Sequence, residues 1–380
     1  MFSTVNSTDR MIYLDGLRGV AAVSVVAYHL ACAFTPGLTV QYAADPLWIV
    51  WTPLAVLWNG HLAVLIFFTL SGMILTEAVH RRTQPVWSRL VLRYIRLAVP
   101  AALSVLVAWG LLRLFPTAAT DARALTGSGW LGYTYQQDLP DLPAALYDGF
   151  VSVFLRGGSF FNNALWTMRP ELLGSAICFI IALPRNAQVR VVAALAIGVL
   201  AMMASRSEYL CFILGILLAE ARAAGRLRPI LPGVVLAFGL MVGSQAGVEQ
   251  SPFGGLLVGG AGYDPIYPIA AAAIIYGSMS LHRIQRFLMG PVPQFLGLVS
   301  VPLYLLHVPL INTMLAQAYA MIHPSFAVFM IALAVWLVGL LVISYLAAHL
   351  VERRLLTGLG WLRDRLASVG RTPVIRRTDP

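Results

Sequence analysis

Long runs of apolar residues, separated by short polar segments, dominate the sequence from residue 14 to residue 350. The hydrocarbon core of a bilayer is about 30 Å thick, so an α-helix needs roughly 20 apolar residues to cross it. By that measure the runs predict about ten membrane-spanning helices. Their estimated bounds are 14–34, 54–76, 97–115, 165–183, 189–204, 209–221, 230–247, 266–281, 296–320 and 326–350. We therefore expect an all-α polytopic membrane protein.

Basic residues are distributed unevenly between the two sides of these spans. The chain has 26 basic residues, all of them arginine, against 16 acidic residues, which gives a formal charge of +10. With the N-terminus inside, twenty arginines fall on the cytoplasmic side, four on the opposite side, and Arg18 and Arg169 within spans. Because arginine is retained on the cytoplasmic side during insertion, both termini are predicted to be cytoplasmic. The expected location is a plasma membrane, which in a bacterium is the inner membrane.

The overall composition excludes a water-soluble globular protein. Hydrophobic residues make up 59% of the chain and charged residues 11%, whereas soluble domains carry about 25% charged residues. A positive charge can indicate nucleic-acid binding, but membrane topology alone accounts for arginines that lie between apolar spans. The three cysteines are widely spaced and lie in or beside apolar runs, which indicates neither a disulfide framework nor a zinc site. We expect no nucleic-acid partner and no metal.

Two segments outside the spans have their own patterns. Residues 116–164 are predicted to face outward as the longest segment outside the membrane, too short and too rich in Pro and Gly to form an independent domain. After residue 350, leucines recur at helical spacing with arginines between them, which predicts an interfacial amphipathic helix over 351–369. The predicted organisation is a membrane domain over 1–350, this helix, and a basic, disordered tail over 370–380.

The first span carries three ionisable residues, although each costs about 2.5–3.5 kcal/mol inside a bilayer. Asp15 lies three residues before Arg18, and His29 follows Arg18 by eleven residues, which is about three helical turns and nearly the same face. One interpretation is an ion pair at the membrane surface with a buried, hydrogen-bonded histidine above it. The other is a polar track, in which His29 moves a proton and Arg18 binds an anion that enters from the cytoplasm.

A Ser-Gly pair and a cluster of arginines lie at the inner end of the second span. Ser71-Gly72 is typical of a point where helices pack closely. The arginines that follow are Arg81, Arg82, Arg89, Arg93 and Arg96. Membrane topology and anionic lipid head groups would explain this cluster. A cytoplasmic ligand with several phosphates is the more specific hypothesis, because guanidinium groups bind phosphate in two-point contacts.

Two later spans contribute further polar residues. Trp166, Arg169 and Glu171 lie where the fourth span re-enters from outside. Arg169 can extend to the interface, whereas Glu171 is deeper and is expected to find its partner across the bundle. In the ninth span, Tyr304 and His307 share a helical face. For each of these residues a structural role in the bundle stands beside a functional one.

Taken in order along the chain, these segments resemble the acyltransferase-3 family of integral-membrane O-acyltransferases. The resemblance extends from residue 13 to about 350 and rests on LDGLRGVAAVSVVAYHL with its Arg-x10-His spacing, FFTLSGMIL, the arginine-rich loop ending RYIRLAVP, LWTMRPELLGS and LYLLHVPL. The fourth segment departs from the family pattern, with Arg169-Pro170 in its middle and no aromatic residues soon after Glu171. Some relatives append an SGNH-type hydrolase-like domain. About thirty residues follow the last span here, so we expect a stand-alone membrane domain.

The resemblance implies transfer of an acyl group, acetyl by default, from cytoplasmic acyl-CoA to a hydroxyl of an extracytoplasmic glycan or lipid-linked oligosaccharide. His29 would be the general base or a transient acyl acceptor, with Arg18 and Glu171 as the other catalytic residues. The donor would be bound by Asp15, Arg18, Ser71, Arg81, Arg82, Arg89 and Arg93. The acceptor would be bound by Trp166, Glu171, Tyr304 and His307.

Other functions remain open on the residues alone. A polar track through a helical bundle also serves a transporter or flippase for a polar or glycolipid substrate, which is the principal alternative. A non-catalytic membrane subunit is a third. Consumption of acyl-CoA distinguishes these classes, because a transporter would show none. Polysaccharides, their lipid-linked repeat units, small glycosylated natural products and peptidoglycan sugars are all acceptors compatible with the resemblance.

Overall fold

A computed structural model describes residues 11–42, 45–80, 84–131, 138–227, 229–244, 265–322 and 325–369. Within these ranges the regular structure is helical and contains no β-strand, which confirms the predicted all-α class. The helices are α1 Ile12–Phe34, α2 Gly60–His80, α3 Val86–Leu114, α4 Ala118–Thr126, α5 Leu142–Leu155, α6 Met168–Ile181, α7 Ala187–Met203, α8 Ser207–Ala223, α9 Pro232–Ser244, α10 Ile266–Ser280, α11 His282–Leu288, α12 Pro291–Ile322, α13 Phe326–Ala347 and α14 Arg353–Val369.

A described helix overlaps each apolar run that the sequence predicts to span the membrane. Six described helical segments are long and apolar enough to cross a bilayer, namely Ile12–Phe34, Gly60–His80, Val86–Leu114, Asn163–Ile181, Pro291–Ile322 and Phe326–Leu366. Four more are apolar but shorter: Leu142–Leu155, Ala187–Met203, Pro232–Ser244 and Ile266–Ser280. The chain is therefore an all-α membrane protein, and the number of ten spans stays a prediction.

The close approach of α1 and α12 positions much of the polar interior. A side chain at Gly19 would collide with the backbone of Gly297, and one at Gly297 would collide with the backbone of Asp15. Small residues allow such contact where helices associate in a bilayer. The two helices run parallel, so His29, about three turns beyond Arg18 on α1, faces His307 on α12. We call the end that holds Asp15 the inner end, because the arginine distribution predicts it to be cytoplasmic, and the opposite end the outer end.

The two residues of the Ser-Gly pair in α2 have different roles, one in helix packing and one in hydrogen bonding. A side chain at Gly72 would collide with the backbone of Phe212 in α8, and one at Gly215 of α8 would collide with the backbone of Thr69. Gly72 thus has the packing role that the sequence predicts. Ser71 points instead toward α3 and α6, where its hydroxyl finds polar partners.

The third helix begins well before its apolar run. The predicted span starts at residue 97, whereas α3 starts at Val86, directly after Pro85. Arginine is a good helix former, so the helix continues through the basic segment instead of stopping where hydrophobicity stops. Arg89, Arg93 and Arg96 therefore lie on a helix at spacings of four and three residues, which places them near one face. The expectation that they belong to a loop is wrong.

Part of the predicted outer segment 116–164 runs inward along α3. The Trp109 indole nitrogen donates to the Pro140 carbonyl oxygen (3.1 Å), and the Tyr94 hydroxyl donates to the Phe150 carbonyl oxygen (2.6 Å). Fifteen residues of α3 separate those two contacts, which corresponds to about 22 Å of helix. The expectation that this whole segment lies outside the membrane is therefore wrong for α5. A search for runs of about 20 apolar residues does not detect a helix this short.

The C-terminal region follows its predicted pattern as far as the structure describes it. α14 begins at Arg353 and matches the helix predicted over 351–369, and its location at the membrane surface stays a prediction. It is preceded by a π-helical turn at Ala348–Glu352 that continues directly from α13. The predicted tail 370–380 lies outside the described residues, as do Arg81 and Arg82.

Candidate active site

A cavity of about 200 Å³ lies between α1, α2, α3, α6, α12 and the start of α14. We call it the central cavity. Its polar lining consists of Arg18, Ser71, Arg93, Arg96, Thr167, Glu171, Ser300, Tyr304 and Glu352. Its apolar lining consists of Val64, Phe67, Phe68, Leu70, Ile74, Leu75, Leu97, Pro100, Met168, Val301, Leu305, Leu355 and Leu356. The combination suits a ligand that is partly charged and partly apolar.

A hydrogen-bonded cluster forms one wall of this cavity. Ser71 Oγ donates to Glu171 Oε1, and Arg93 Nη2 donates both to Glu171 Oε1 and to Ser71 Oγ, the latter at 2.9 Å. Arg93 Nε donates to Ser175 Oγ (2.8 Å), whose hydroxyl donates to the Glu171 carbonyl oxygen (2.6 Å). Glu171 thus finds its partners across the bundle, as the sequence predicts, and each charge in this mostly buried cluster is compensated.

The turn before α6 brings Glu171 into the bundle. Asn162 is fully buried, and its Nδ2 donates to the Leu305 carbonyl oxygen (2.7 Å). Its Oδ1 accepts from the Ala164 backbone nitrogen (3.2 Å) and so caps the short 3-10 helix Asn163–Thr167. Because this turn is tied to α12, α6 begins between the helices and its first turn faces α2 and α3.

Charged residues from three segments meet around the cavity near the inner end. Arg18 Nη1 lies 3.8 Å from Asp15 Oδ1 on the same helix. Arg96 of α3 and Glu352 of the turn before α14 line the cavity with Arg18, and Glu352 lies within electrostatic range of both arginines. Three guanidinium groups, those of Arg18, Arg93 and Arg96, therefore face one space.

Two histidines pair above the cavity. His307 Nε2 lies 3.0 Å from His29 Nδ1, while His307 Nδ1 lies 3.1 Å from the Leu303 carbonyl oxygen and His29 Nδ1 lies 3.1 Å from that of Val25. Carbonyl oxygens only accept, so for neutral imidazoles both Nδ1 atoms carry protons, and His307 Nε2 accepts from His29. This assignment leaves His29 Nε2 unprotonated. The Trp130 ring packs on His29 with 5.1 Å between centroids.

Tyr304 stands between the central cavity and the histidine pair. Its ring lies 5.8 Å from that of His307 and 6.0 Å from that of Phe67, which also lines the cavity. Its hydroxyl donates to the Ala164 carbonyl oxygen (2.9 Å) and contacts Thr167 Oγ1 at 3.1 Å. The described lining of the cavity includes neither histidine. The polar track predicted along α1 is therefore divided by an aromatic side chain into an inner and an outer part.

A family comparison decides the class of reaction. The model of a family described as an acyltransferase domain matches residues 11–349. The chain belongs to the acyltransferase-3 family. It is thus a membrane acyltransferase. No curated protein and no solved structure matched the chain.

The acyltransferase brings together five of the residues to which the family resemblance assigns a role. Arg18, Ser71, Arg93, Glu171 and Tyr304 line the central cavity, and Asp15 pairs with Arg18. The resemblance implies that Glu171 acts with His29 and contacts the acceptor. The structure places Glu171 in the inner cavity instead, because α6 starts inside the bundle.

Other predicted residues lie elsewhere. His29 and His307 form the outer pair, and Trp166 packs edge-on against Phe68 at 6.3 Å, outside the described cavity lining. Arg89 Nε donates to the Gln84 carbonyl oxygen (3.0 Å) at the start of α3, and Arg89 is not part of that lining either. The proposed roles of these residues stay predictions.

Sequence reasoning missed several residues of the site in the acyltransferase. Thr167, Ser300 and Glu352 line the cavity, and so does Arg96, which was named in the basic cluster but not among the donor-binding residues. Helical spacing from Arg93 would have pointed to Arg96, had the basic segment been recognised as helix. No pattern in the sequence pointed to Glu352, since it reaches the cavity only through the packing of the α13–α14 turn against the bundle.

Proposed function

We propose that this acyltransferase moves an acyl group, most simply acetyl, from acyl-CoA on the cytoplasmic side to a hydroxyl of an extracytoplasmic glycan or lipid-linked oligosaccharide. The proposed location is a plasma membrane, the inner membrane in a bacterium. One observation carries the proposal: three guanidinium groups face a cavity near the predicted cytoplasmic end, and an imidazole pair lies above it toward the outer end.

The charges around the cavity suit the donor. Acyl-CoA combines several phosphates with an uncharged pantetheine arm and a thioester. Arg18 and Arg96 offer guanidinium forks for phosphate, and Asp15 holds Arg18 in place from 3.8 Å. The apolar lining beyond them can contact the arm. Glu352 supplies a counter-charge to the arginines when no donor is bound.

The outer imidazole pair suits a hydroxyl acceptor. His29 Nε2, left without a proton by the contact with His307, can accept the proton of an attacking hydroxyl. Trp130 is only 3% exposed and packs on the same ring, so it helps to hold the imidazole in place. This arrangement favours a hydroxyl that reaches the pair from the outer side, and the assignment of that hydroxyl to a carbohydrate rests on the resemblance to the family.

The test measures acyl transfer by the purified protein in lipid nanodiscs. Acetyl-CoA is supplied together with a glycan fraction from cells that lack the gene, and we expect release of free CoA and a mass gain of one acetyl group on the glycan. The same mass difference should separate the glycans of cells with and without the gene. A transporter or a non-catalytic subunit would release no CoA above the rate without protein, and that result would reject the proposal.

A further inference from the structure

Ser71 differs from the other hydroxyl groups that line the central cavity. The Ser300 hydroxyl donates to the Gly297 carbonyl oxygen (2.8 Å), and the Thr167 hydroxyl donates to that of Ala164 (3.1 Å). Such bonds to the preceding helical turn satisfy a hydroxyl without activating it. Among the described residues that line the cavity, Ser71 alone donates its proton to a carboxylate, that of Glu171.

A second carboxylate–hydroxyl pair in the protein shows the contrast. Ser159 Oγ donates to Asp148 but accepts from the backbone nitrogens of Phe161 and Asn162, both at 3.1 Å. Its oxygen is therefore committed to holding a turn. The oxygen of Ser71 accepts instead from Arg93, a charged side chain that faces the cavity.

We propose that Ser71 is a nucleophile that carries the acyl group as an ester between donor and acceptor. This inference rests on the acyl-CoA donor of the proposed function. Glu171 takes the hydroxyl proton while Ser71 Oγ attacks the thioester carbonyl carbon, and Arg93 stabilises the oxyanion. The carbon–sulfur bond then breaks, and the proton passes from Glu171 to the CoA thiolate. Free CoA then dissociates, and the acyl group stays on the enzyme as an ester of Ser71.

The second half of the reaction returns the enzyme to its starting state. The acceptor hydroxyl loses its proton to a base and attacks the carbonyl carbon of the Ser71 ester. The bond from that carbon to Ser71 Oγ breaks, and Oγ takes up the proton that the base accepted. No oxidant, reductant or further substrate is required.

The size of the central cavity favours two steps over one. Direct transfer requires both substrates to be bound at once, with the thioester carbon and the acceptor oxygen about 3–3.5 Å apart. An ester on Ser71 lets CoA leave before the acceptor enters, so a cavity of about 200 Å³ need not hold both substrates.

The test is isotope exchange in the absence of any acceptor. The purified full chain in nanodiscs receives unlabelled acetyl-CoA and isotopically labelled CoA, and mass spectrometry follows the label into acetyl-CoA. An acyl-enzyme catalyses this exchange, because its formation is reversible, whereas direct transfer to an acceptor does not. We expect exchange by the wild type and a loss of at least about 10³-fold in Ser71→Ala.

Three comparisons make that loss specific. Ser344→Ala removes another buried serine hydroxyl, one with no hydrogen-bond partner among the described residues, on α13, and should exchange at the wild-type rate. Ser71→Cys keeps a nucleophile and should restore part of the exchange, which also shows that the site folds. Acetyl-CoA should label a wild-type peptide that contains Ser71, and alkaline but not neutral hydroxylamine should remove the label, as for an oxygen ester.

Several results would overturn the acyl-serine. They are glycan acylation without exchange, exchange at the wild-type rate in Ser71→Ala, and a label on His29 that neutral hydroxylamine removes. In the first case the proposed function stands and only the intermediate is rejected. If the wild type neither exchanges nor releases CoA with any acceptor, both proposals fail.

Discussion

Arg93 of α3 pairs with Glu171 of α6, and the two side chains are only 11% and 14% exposed. A buried ion pair contributes little net stability, because desolvation offsets the attraction between the charges. Removing one partner is costly, since it leaves the other charge buried without compensation. The pair therefore ties α3 to α6 at the wall of the central cavity and holds Ser71 between two charged groups.

We expect Arg93→Ala to destabilise the protein by about 3 kcal/mol, because Glu171 would lose its counter-charge. The double variant Arg93→Met/Glu171→Leu should be more stable than Arg93→Met alone or Glu171→Leu alone. The measurement is thermal unfolding in detergent. Arg222→Ala is the matched control, since Arg222 is 38% exposed in its pair with Glu77 and should cost at most about 1 kcal/mol. Equal losses in Arg93→Ala and Arg222→Ala would contradict the argument.

His29→Ala should lower the rate of glycan acylation by about 10²–10⁴-fold while the protein stays folded, because proton transfer by a positioned side chain contributes that much. Initial rates on purified protein, normalised to the folded fraction from size-exclusion chromatography, check this. His282→Ala, on the exposed surface of α11, should leave the rate unchanged. Normal acylation by well-folded His29→Ala would remove His29 from the mechanism.

His307 should act by holding the correct tautomer of His29. His307→Leu removes the atom that accepts from His29 Nδ1, so we expect a loss of about 10²-fold from misorientation. His307→Gln keeps an acceptor oxygen and should recover much of that activity. The comparison of kcat for the two variants tests the role, and a larger loss in the glutamine variant would argue against it.

Arg18→Gln and Arg96→Gln should raise KM for acyl-CoA about 10- to 100-fold, since a hydrogen bond to a charged group is worth about 1.5–3 kcal/mol. The effect on kcat should be smaller, because these contacts form before the chemical step. Arg113→Gln provides the control, since Arg113 lies over Trp109 near the outer end of α3. An unchanged KM in both cavity variants would place the CoA phosphates elsewhere.

Gly19→Ala should destabilise the protein by about 1–3 kcal/mol, because the added methyl group collides with the backbone of Gly297. It should also reduce acylation, since the α1–α12 contact aligns His29 with His307. Gly110→Ala, in α3, adds a methyl group that meets no atom of the described residues within 4 Å and should be neutral or stabilising by up to about 1 kcal/mol. Thermal unfolding of the two alanine variants checks the difference, and similar melting temperatures would contradict it.

Hydrophobicity predicted the helices well but their limits poorly. The run at 97–115 marks the apolar part of α3 and misses the eleven residues that carry Arg89, Arg93 and Arg96. α5 went unrecognised because a helix of 14 residues falls short of a full span. Both errors have one cause: the apolar-length rule measures how much helix a bilayer can cover, not where the backbone stops being helical.

The sequence predicted which residues belong to the site better than it predicted which of them contact one another. The cost of burying Arg18, His29, Glu171 and His307 marked them as candidates from the sequence alone. Their grouping depends on long-range contacts: 278 residues separate His29 from His307, and 78 separate Arg93 from Glu171. Helical periodicity relates residues within one helix and carries no information about which face of another helix lies opposite.

The amino-acid sequence by itself determined that the chain is a membrane protein of the all-α class. It also identified the polar residues that are costly to bury in a bilayer, because the free energy of transfer into lipid depends on each side chain separately. Only the tertiary structure decided that Glu171 contacts Ser71 and Arg93 rather than His29. It also decided that Tyr304 lies between the central cavity and the histidine pair. Those facts depend on where α6 starts and on how closely glycines let α1 and α12 approach. Both are properties of helices packed against one another, which no single segment of sequence contains.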